Sequence, residues 1–146
     1  MMQQRWLGLL FSLCSLCLCG EIFAASPSLG GITPRGGQRG TEMVLIFSGA
    51  RLSDAKEILF YTPGFTVSKL EVVNDGQVKA TVKIAADCPP GEHSVRLRTK
   101  SGISELRTIW VGALPIVAEK EPNSEFDKPQ KIPLNVTVEE IGRAHV

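Results

Sequence analysis

The chain has 146 residues, of which 43% are hydrophobic and 21% charged, and its formal net charge at pH 7 is +1. This length allows one domain of about 90 residues with a hydrophobic core, together with flanking segments. The balanced charge gives no basis for general attraction to nucleic acid or to an anionic membrane surface.

The N-terminal 25 residues have the organisation of a secretory signal peptide. Arg5 precedes an apolar run over residues 6–19, and the small residues Ala24 and Ala25 follow, which is the order of charged region, hydrophobic region and cleavage site. The run is short for a bilayer-spanning helix. We predict that residues 1–25 are cleaved after Ala24 or Ala25. The protein is then exported to the periplasm, the cell surface or the medium, without a transmembrane anchor.

Three of the four cysteines lie within the predicted signal peptide. An alternative is a lipoprotein signal with Cys17 or Cys19 lipidated, although the bulky Leu18 before Cys19 is unfavourable for it. Under the first interpretation Cys88 is the one cysteine left in the mature chain, so no internal disulfide is predicted. Cys88 is interpreted as a small buried hydrophobic residue.

Short alternating stretches broken by turn residues fill residues 26–113, which is typical of an all-β sandwich. Residues 78–84 alternate most cleanly, with Val78 and every second residue after it predicted to face the core. Asn-Asp-Gly at 74–76 predicts a hairpin turn, because Asn and Gly tolerate positive φ. One helical turn is allowed at 53–56, with its serine as N-cap. We expect about seven strands in two packed sheets.

The glycine-rich stretch at residues 32–49, ITPRGGQRGTEMVLIFSG, raises the question of a phosphate-binding loop. Such a loop needs its glycines to open onto a helix N-terminus, usually followed by Lys and Ser or Thr. Here residues 43–47 alternate as in a strand instead. The glycines are therefore interpreted as turn residues between the first and second strands, with Arg35 and Arg39 at the rim of the turn.

This stretch resembles the opening of an IPT/TIG domain. The family pattern is a proline, a Gly-rich turn, Gly-Thr, an alternating strand and a glycine. The matching residues are Pro34, Gly36, Gly37, Gly40, Thr41, residues 43–47 and Gly49. Residues 88–104, CPPGEHSVRLRTKSGIS, are similar to a later hairpin of the family. The resemblance covers about residues 27–112 and implies a TIG-type immunoglobulin-like β-sandwich; it implies no activity.

The composition changes after Gly112, where prolines and charges become frequent and large apolar residues rare. We predict a linker at 114–131 and the truncated start of a further domain at 132–140. Glu-Pro-Asn at 121–123 and the stretch 132–138 resemble the start of a bacterial pre-peptidase C-terminal (PPC) domain. Large exported proteins of planctomycete-type bacteria combine TIG-like and PPC domains, so this resemblance implies that the chain is a fragment of a longer protein.

The last six residues, 141–146, are a further sign of truncation. They are what the DNA string ATCGGAAGAGCACACGTC encodes, which matches the start of a short-read sequencing adapter. Our hypothesis is that they are an artefact, so that Arg143 and His145 carry no biology. A longer assembly of the locus tests it.

The sequence supplies no recognisable catalytic set. His93 is predicted on the inward face of a strand, as a hydrogen-bonded histidine at the edge of the core rather than a general base. Zinc needs three or four Cys, His or carboxylate ligands, and the sequence offers no such cluster. The acidic stretch 119–127 fits a solvated linker better than a weak Ca²⁺ contact. We predict no cofactor, no metal and no enzymatic activity for this chain.

Five residues are candidates for contact with a ligand or partner. The basic pair Arg96 and Arg98 is predicted to share an outward face with Lys100 and Arg107, either as a docking surface for an acidic polysaccharide or as an ordinary solvated face. Tyr61, beside a Thr-Pro-Gly loop, is placed to stack on a sugar. The five candidates are Arg35, Arg39, Tyr61, Arg96 and Arg98.

Three functions remain open from the sequence. The first is a non-catalytic exported module that serves as a spacer or as a recognition or adhesion unit of a larger protein. The second is the N-terminal accessory region of a secreted peptidase whose catalytic domain lies beyond this chain. The third is a carbohydrate-binding module. The expected partners are downstream domains of the same polypeptide and a cell-surface polysaccharide or protein, and not nucleic acid.

Overall fold

The computed structural model describes residues 25–120 and 127–139. The predictions for residues 1–24, for Glu-Pro-Asn at 121–123 and for residues 141–146 therefore lie outside the described residues. Within the described residues the protein has ten β-strands and no helix. The strands are β1 (Ser28–Thr33), β2 (Gly36–Gln38), β3 (Glu42–Ala50), β4 (Ala55–Phe60), β5 (Phe65–Asn74), β6 (Gln77–Ile84), β7 (Gly91–Thr99), β8 (Arg107–Gly112), β9 (Ile116–Ala118) and β10 (Thr137–Glu139).

Two four-stranded sheets make up the sandwich. The first sheet has the strand order β1-β3-β6-β5, and the second sheet has the order β2-β8-β7-β4. All neighbours are antiparallel except β2 and β8, which are parallel. Once β1 and β2 are taken as two parts of one first strand, this is the order of the immunoglobulin fold, in which the first, second, fifth and fourth strands form one sheet. The domain is an immunoglobulin-like β-sandwich.

The first strand is divided between the two sheets. β1 pairs with β3, the chain passes through Pro34 and Arg35, and β2 then pairs with β8. Gly36 and Gly37 are therefore strand residues, and the prediction that they form a turn is wrong. A Cβ at the buried Gly37 would collide with the side chains of the core, so the bare backbone lets β2 lie close to the core. This division is also why eight strands, and not seven, form the sandwich.

Gly40 provides the turn from β2 into β3. Its φ is +78°, in the left-handed region that glycine tolerates best. Its N–H donates to the carbonyl of Ile84 at 2.9 Å. The predicted turn before a strand is therefore confirmed for Gly40. A strand follows it, whereas a phosphate-binding loop would have required a helix.

The core fills the space between the two sheets. In β6, Val78 and every second residue to Ile84 are buried, which confirms the period-two prediction. From the second sheet Val95, Leu97 and Ile109 face them, each at most 1% exposed. Burying an aliphatic side chain of this size contributes about 1.5–3 kcal/mol. The opposed inward faces therefore hold the sheets together and fix which side chains of each strand point outward.

The hairpin between β5 and β6 turns at Asp75 and Gly76, as the Asn-Asp-Gly sequence predicts. The Asn74 side-chain carbonyl accepts the Gly76 N–H at 2.8 Å. The Asp75 carboxylate accepts the Ser53 hydroxyl at 2.9 Å and the Arg51 N–H at 3.1 Å. These two hydrogen bonds, the one from Ser53 first, lower the pKa of Asp75. The hairpin is thus tied to the loop that follows β3.

The predicted helical turn at residues 53–56 is wrong. Residues 52–55 form a single hydrogen-bonded turn, in which the Ala55 N–H donates to the Leu52 carbonyl at 3.1 Å, and β4 begins at Ala55. The Ser53 hydroxyl bonds Asp75 instead of capping a helix. No helix in residues 25–120 or 127–139 has the length and hydropathy that crossing a bilayer requires.

The described part of the C-terminal region forms a small sheet against the sandwich. β9 and β10 pair in parallel, with Ile116 opposite Thr137 and Ala118 opposite Glu139. The Thr137 N–H donates to the Pro115 carbonyl at 2.8 Å. Part of the predicted linker and part of the predicted second domain are therefore joined by backbone hydrogen bonds. The boundaries at 114, 131 and 140 remain predictions.

Candidate recognition surface

The outward side chains of the second sheet include two large exposed aromatic residues. In β7 and β8 the core takes His93, Val95, Leu97, Ile109 and Val111, so the residues between them point outward. We call this outward surface the aromatic face. Its members are Leu59, Tyr61, Ser94, Arg96, Thr108 and Trp110.

Tyr61 and Trp110 mark the two ends of the aromatic face, and each is 58% exposed. The Tyr61 N–H donates to the Ser94 carbonyl at 3.2 Å, which places Tyr61 beside Ser94. Trp110 lies two strands away from Tyr61, opposite Glu92. Strand spacing and rise then separate the two backbone positions by about 10 Å across the sheet and about 7 Å along it.

Trp110 was not among the five sequence candidates, although the sequence contained the signal for it. Ile109 and Val111 alternate around Trp110, and both are buried. In a strand with an inward apolar set, the residue between two inward residues points to solvent. An outward tryptophan is a candidate contact residue, because tryptophan is among the residue types most enriched at binding hot spots.

The two candidate arginines of β7 point outward but differ in their partners. Arg98 donates from Nε to the Glu57 carboxylate at 2.8 Å, and both side chains are about half exposed. Such an exposed pair contributes at most about 1 kcal/mol. Arg96 is half-buried opposite Leu59, and its covered Nε has no hydrogen-bond partner among the described residues. The Arg98 guanidinium is therefore paired with a carboxylate, whereas the Arg96 Nε–H lacks an acceptor among the described residues.

The prediction that Arg107 shares this face is wrong. Arg107 stands opposite Val95 and alternates with Thr108 and Trp110, so it occupies an inward register position at the end of β8. The hydrogen bond from the Leu29 N–H is the main cause that lowers the pKa of Glu105, and the charge of Arg107 adds to this lowering. Arg107 therefore does not share the outward face of Arg96 and Arg98.

Arg35 and Arg39 flank β2 at the edge of the second sheet, and both side chains are exposed. The Arg35 carbonyl accepts the Trp110 N–H at 2.9 Å, and the Arg39 N–H donates to the Gly112 carbonyl at 3.0 Å. The Arg35 N–H donates to the Glu139 carboxylate. Arg35 thus lies beside Trp110 at the β2 edge of the second sheet. Tyr61, Arg96 and Arg98 lie toward the opposite edge of the same sheet, at the end of β4 and on β7.

A pocket of about 230 Å³ opens beside Trp110, between β2, β8 and the small sheet. We call it the Trp110 pocket. Its walls are mostly apolar and include Arg35, Gly36, Trp110, Ile116, Thr137 and Glu139. A Cβ on Gly36 would lie 2.9 Å from the Trp110 carbonyl oxygen and 3.4 Å from Ile116 Cδ1, so this glycine keeps the floor of the pocket open.

His93 has the environment that was predicted for it, at the edge of the core and 4% exposed. Its Nε2–H donates to the Pro89 carbonyl at 2.7 Å, because a carbonyl can only accept. In the neutral ring Nδ1 then accepts the Thr62 hydroxyl at 2.6 Å. The ring also meets Phe65 edge-on, with centroids 5.1 Å apart. Both ring nitrogens therefore form hydrogen bonds with groups of the domain itself.

Cys88 is 1% exposed and packs with Ile84 and Val111. Burial, and secondarily the charge of Asp87, raises the pKa of the Cys88 thiol. A buried thiol with a raised pKa stays protonated at neutral pH and is a poor nucleophile. Within residues 25–120 and 127–139, no three His, Cys, Asp or Glu side chains are grouped as a metal site.

No protein-family model matches the chain, and a search of curated proteins found no match. Solved structures do resemble it. The crystal structure of the Lin-41 filamin domain matches 60% of this chain and 92% of its own, at 13% identity and a TM-score of 0.43. The Bacteroides ovatus mixed-linkage glucan utilization locus protein SGBP-B, in complex with a mixed-linkage heptasaccharide, matches 66% of this chain and 24% of its own, at 16% identity and a TM-score of 0.47. Because these identities and scores are low, the immunoglobulin-like assignment rests on the strand order of the two sheets.

Proposed function

We propose that this protein is a non-catalytic recognition module of a larger exported protein, and that its aromatic face contacts the partner. The observation that carries the proposal is the exposure of Trp110 and Tyr61 on one sheet surface. Tryptophan, tyrosine and arginine are the residues most enriched at binding hot spots. The ladders of β4, β7 and β8 hold these side chains in place, so binding would order little additional chain.

The charges around the aromatic face favour a partner of low charge. The same outward side of the sheet carries Arg96 and Arg98 together with Glu57 and Glu92, so the positive and negative groups balance. Nucleic-acid binding depends on a net basic surface that displaces counterions. The balance therefore supports a cell-surface polysaccharide or protein as the partner rather than nucleic acid.

The proposal is tested by retention of residues 26–146 on immobilised polysaccharides and on a panel of secreted and surface proteins. Retention by at least one polysaccharide or protein is expected, and Tyr61→Ala and Trp110→Ala should each weaken it about tenfold or more. The matched control is Val44→Ala, because Val44 is 51% exposed on the outer face of the first sheet. Binding that is lost in the control but kept in both aromatic variants would contradict the proposal.

A second candidate function, a spacer with a fixed exit direction, is favoured by the small sheet. β9 and β10 are held in parallel, and the Glu119 N–H donates to the Glu139 carbonyl at 3.0 Å. Such pairing would set the angle at which the chain leaves the sandwich, whereas a free linker would leave it unset. Small-angle scattering of a chain extended into its next domain tests this: a spacer gives one fixed separation between the domains, and a free linker gives a broad distribution.

The third possibility, an accessory region of a secreted peptidase, rests on the PPC resemblance of residues 117–138. It makes a prediction about the gene and not about the sandwich. A peptidase motif in the downstream reading frame would support it, and further β-modules without a catalytic domain would support the recognition or spacer function.

A further inference from the structure

We propose that the Trp110 pocket binds one six-membered ring of a neutral polysaccharide. This deepens the proposed function, on which it rests, by naming the ligand class and by adding residues of the small sheet to the site. The site would be composite, because Trp110 and Gly36 come from the sandwich while Ile116 and Thr137 come from the small sheet.

The size of the pocket fits a single ring. Its volume is about 230 Å³, which is the space of roughly seven or eight water molecules at about 30 Å³ each. It suits one sugar unit while the rest of the chain continues along the aromatic face.

The chemistry of the walls matches the two sides of a pyranose. Such a ring has a face of C–H bonds and a rim of hydroxyl groups. Trp110 offers an exposed aromatic surface for the C–H face. Thr137 offers a hydroxyl, and the Glu139 carboxylate offers acceptor sites beyond the one that the Arg35 N–H uses, since a carboxylate has about four.

The charge of the pocket selects a neutral sugar. Its two charged wall residues are Arg35 and Glu139, which have opposite signs. Because these two charges offset each other, the pocket has no net charge that would attract an acidic or a basic sugar. A charged sugar would also lose hydration of its charged group in a mostly apolar site, which costs free energy.

The experiment uses intrinsic fluorescence of residues 26–146. The sequence has two tryptophans, Trp6 and Trp110, so the chain without residues 1–25 reports on Trp110 alone. The probes are hexasaccharides of glucose, mannose and galactose, with hexagalacturonate as the acidic probe. At least one neutral hexasaccharide should shift the emission of Trp110 in a saturable way, and hexagalacturonate should bind at least tenfold more weakly.

Two conservative variants separate the pocket from the open face. Thr137→Val keeps the shape of the side chain and removes the hydroxyl, and Glu139→Gln keeps an acceptor for the Arg35 N–H and removes the charge. Each should weaken binding of the neutral hexasaccharide about fivefold to tenfold, while Val44→Ala, on the outer face of the first sheet, should leave the affinity and the emission shift unchanged. Circular dichroism and thermal midpoints of the variants verify that the fold is kept.

The outcomes distinguish this inference from the function on which it rests. If binding is unchanged in Thr137→Val and in Glu139→Gln but lost in Trp110→Ala, the sugar lies on the open face. The assignment of the sugar to the Trp110 pocket is then wrong, and the recognition function stands. If no neutral hexasaccharide binds while a protein is retained through Trp110 and Tyr61, the ligand class is wrong and the recognition function again stands. If nothing binds through either aromatic residue, both proposals are wrong.

Discussion

The two sheets of the sandwich differ in what they do with their outward residues. The outer face of the first sheet carries Val44, Ile46 and Thr81 among charged residues, and Lys69 pairs with Glu71 at 2.9 Å. The outer face of the second sheet carries Tyr61 and Trp110 and the unmet donor of Arg96. The first surface exposes the aliphatic Val44, whereas the second surface exposes a tyrosine and a tryptophan. This difference is the reason we propose the second sheet as the recognition surface.

The first sheet also holds the tightest backbone contacts, and these give the largest expected effect. A Cβ on Gly49 in β3 would collide with the Ser28 carbonyl of β1. Because backbone cannot move aside as a side-chain end can, we expect Gly49→Ala to lower the free energy of unfolding by about 3 kcal/mol or more. Urea denaturation of residues 26–146 measures it.

Gly31→Ala in β1 is the matched control for Gly49→Ala. A Cβ there meets nothing within 4 Å, and its backbone is outside the left-handed region. The substitution should be neutral or stabilising by up to about 1 kcal/mol, since it reduces the entropy of the unfolded chain. Equal losses in both variants would show that β1 is not held by close approach to β3.

The pH dependence of stability tests the loop network at the end of the first sheet. Hydrogen bonds from Ser53 and Arg51 lower the pKa of Asp75 below that of an unfolded aspartate, about 3.9. The group therefore stabilises the fold above the unfolded value, and this contribution is lost as the pH falls through the folded pKa. Asp75→Asn should thus lower the thermal midpoint at pH 7, and the difference from the unmodified chain should vanish in acid. A difference that is the same at every pH would contradict the network.

The smallest effects are expected from two arginines of the second sheet, and their signs differ. Arg98→Met removes an exposed pair with Glu57 and should cost at most about 1 kcal/mol, less at high salt. Arg96→Met removes a covered donor without a partner, so it should be neutral or stabilising by about 1 kcal/mol. Thermal midpoints of both variants measure this. Greater destabilisation by Arg96→Met than by Arg98→Met would show that Arg96 is satisfied in solution.

The sequence predicted most of the inward residues because strand alternation is a local signal. The buried set of β6 followed from the period-two pattern, and the turn at Asp75 and Gly76 followed from the Asn-Asp-Gly tripeptide. The Ile109, Trp110, Val111 run carried the same information, and Trp110 could have been assigned outward from it. For these elements the local pattern is sufficient, since one sheet face must be buried.

The division of the first strand could not be read from the sequence. Gly36 and Gly37 fit a turn as well as a strand, and the choice is made by the free edge of β8, which is more than 70 residues away. The parallel pairing of β9 with β10 likewise joins segments about 20 residues apart through only three positions each. Neither segment is long enough to show a period. The Trp110 pocket depends on both features and was therefore beyond local reasoning.

We propose that the second sheet, and not the first, is the recognition surface. Nuclear magnetic resonance of the backbone amides of residues 26–146, titrated with whichever polysaccharide or protein is retained, tests it most directly. We expect the largest changes in chemical shift at Ser94, Thr108 and Trp110, and little change at Val44, Lys79 and Thr81. Changes centred on Val44 and Thr81 would contradict it.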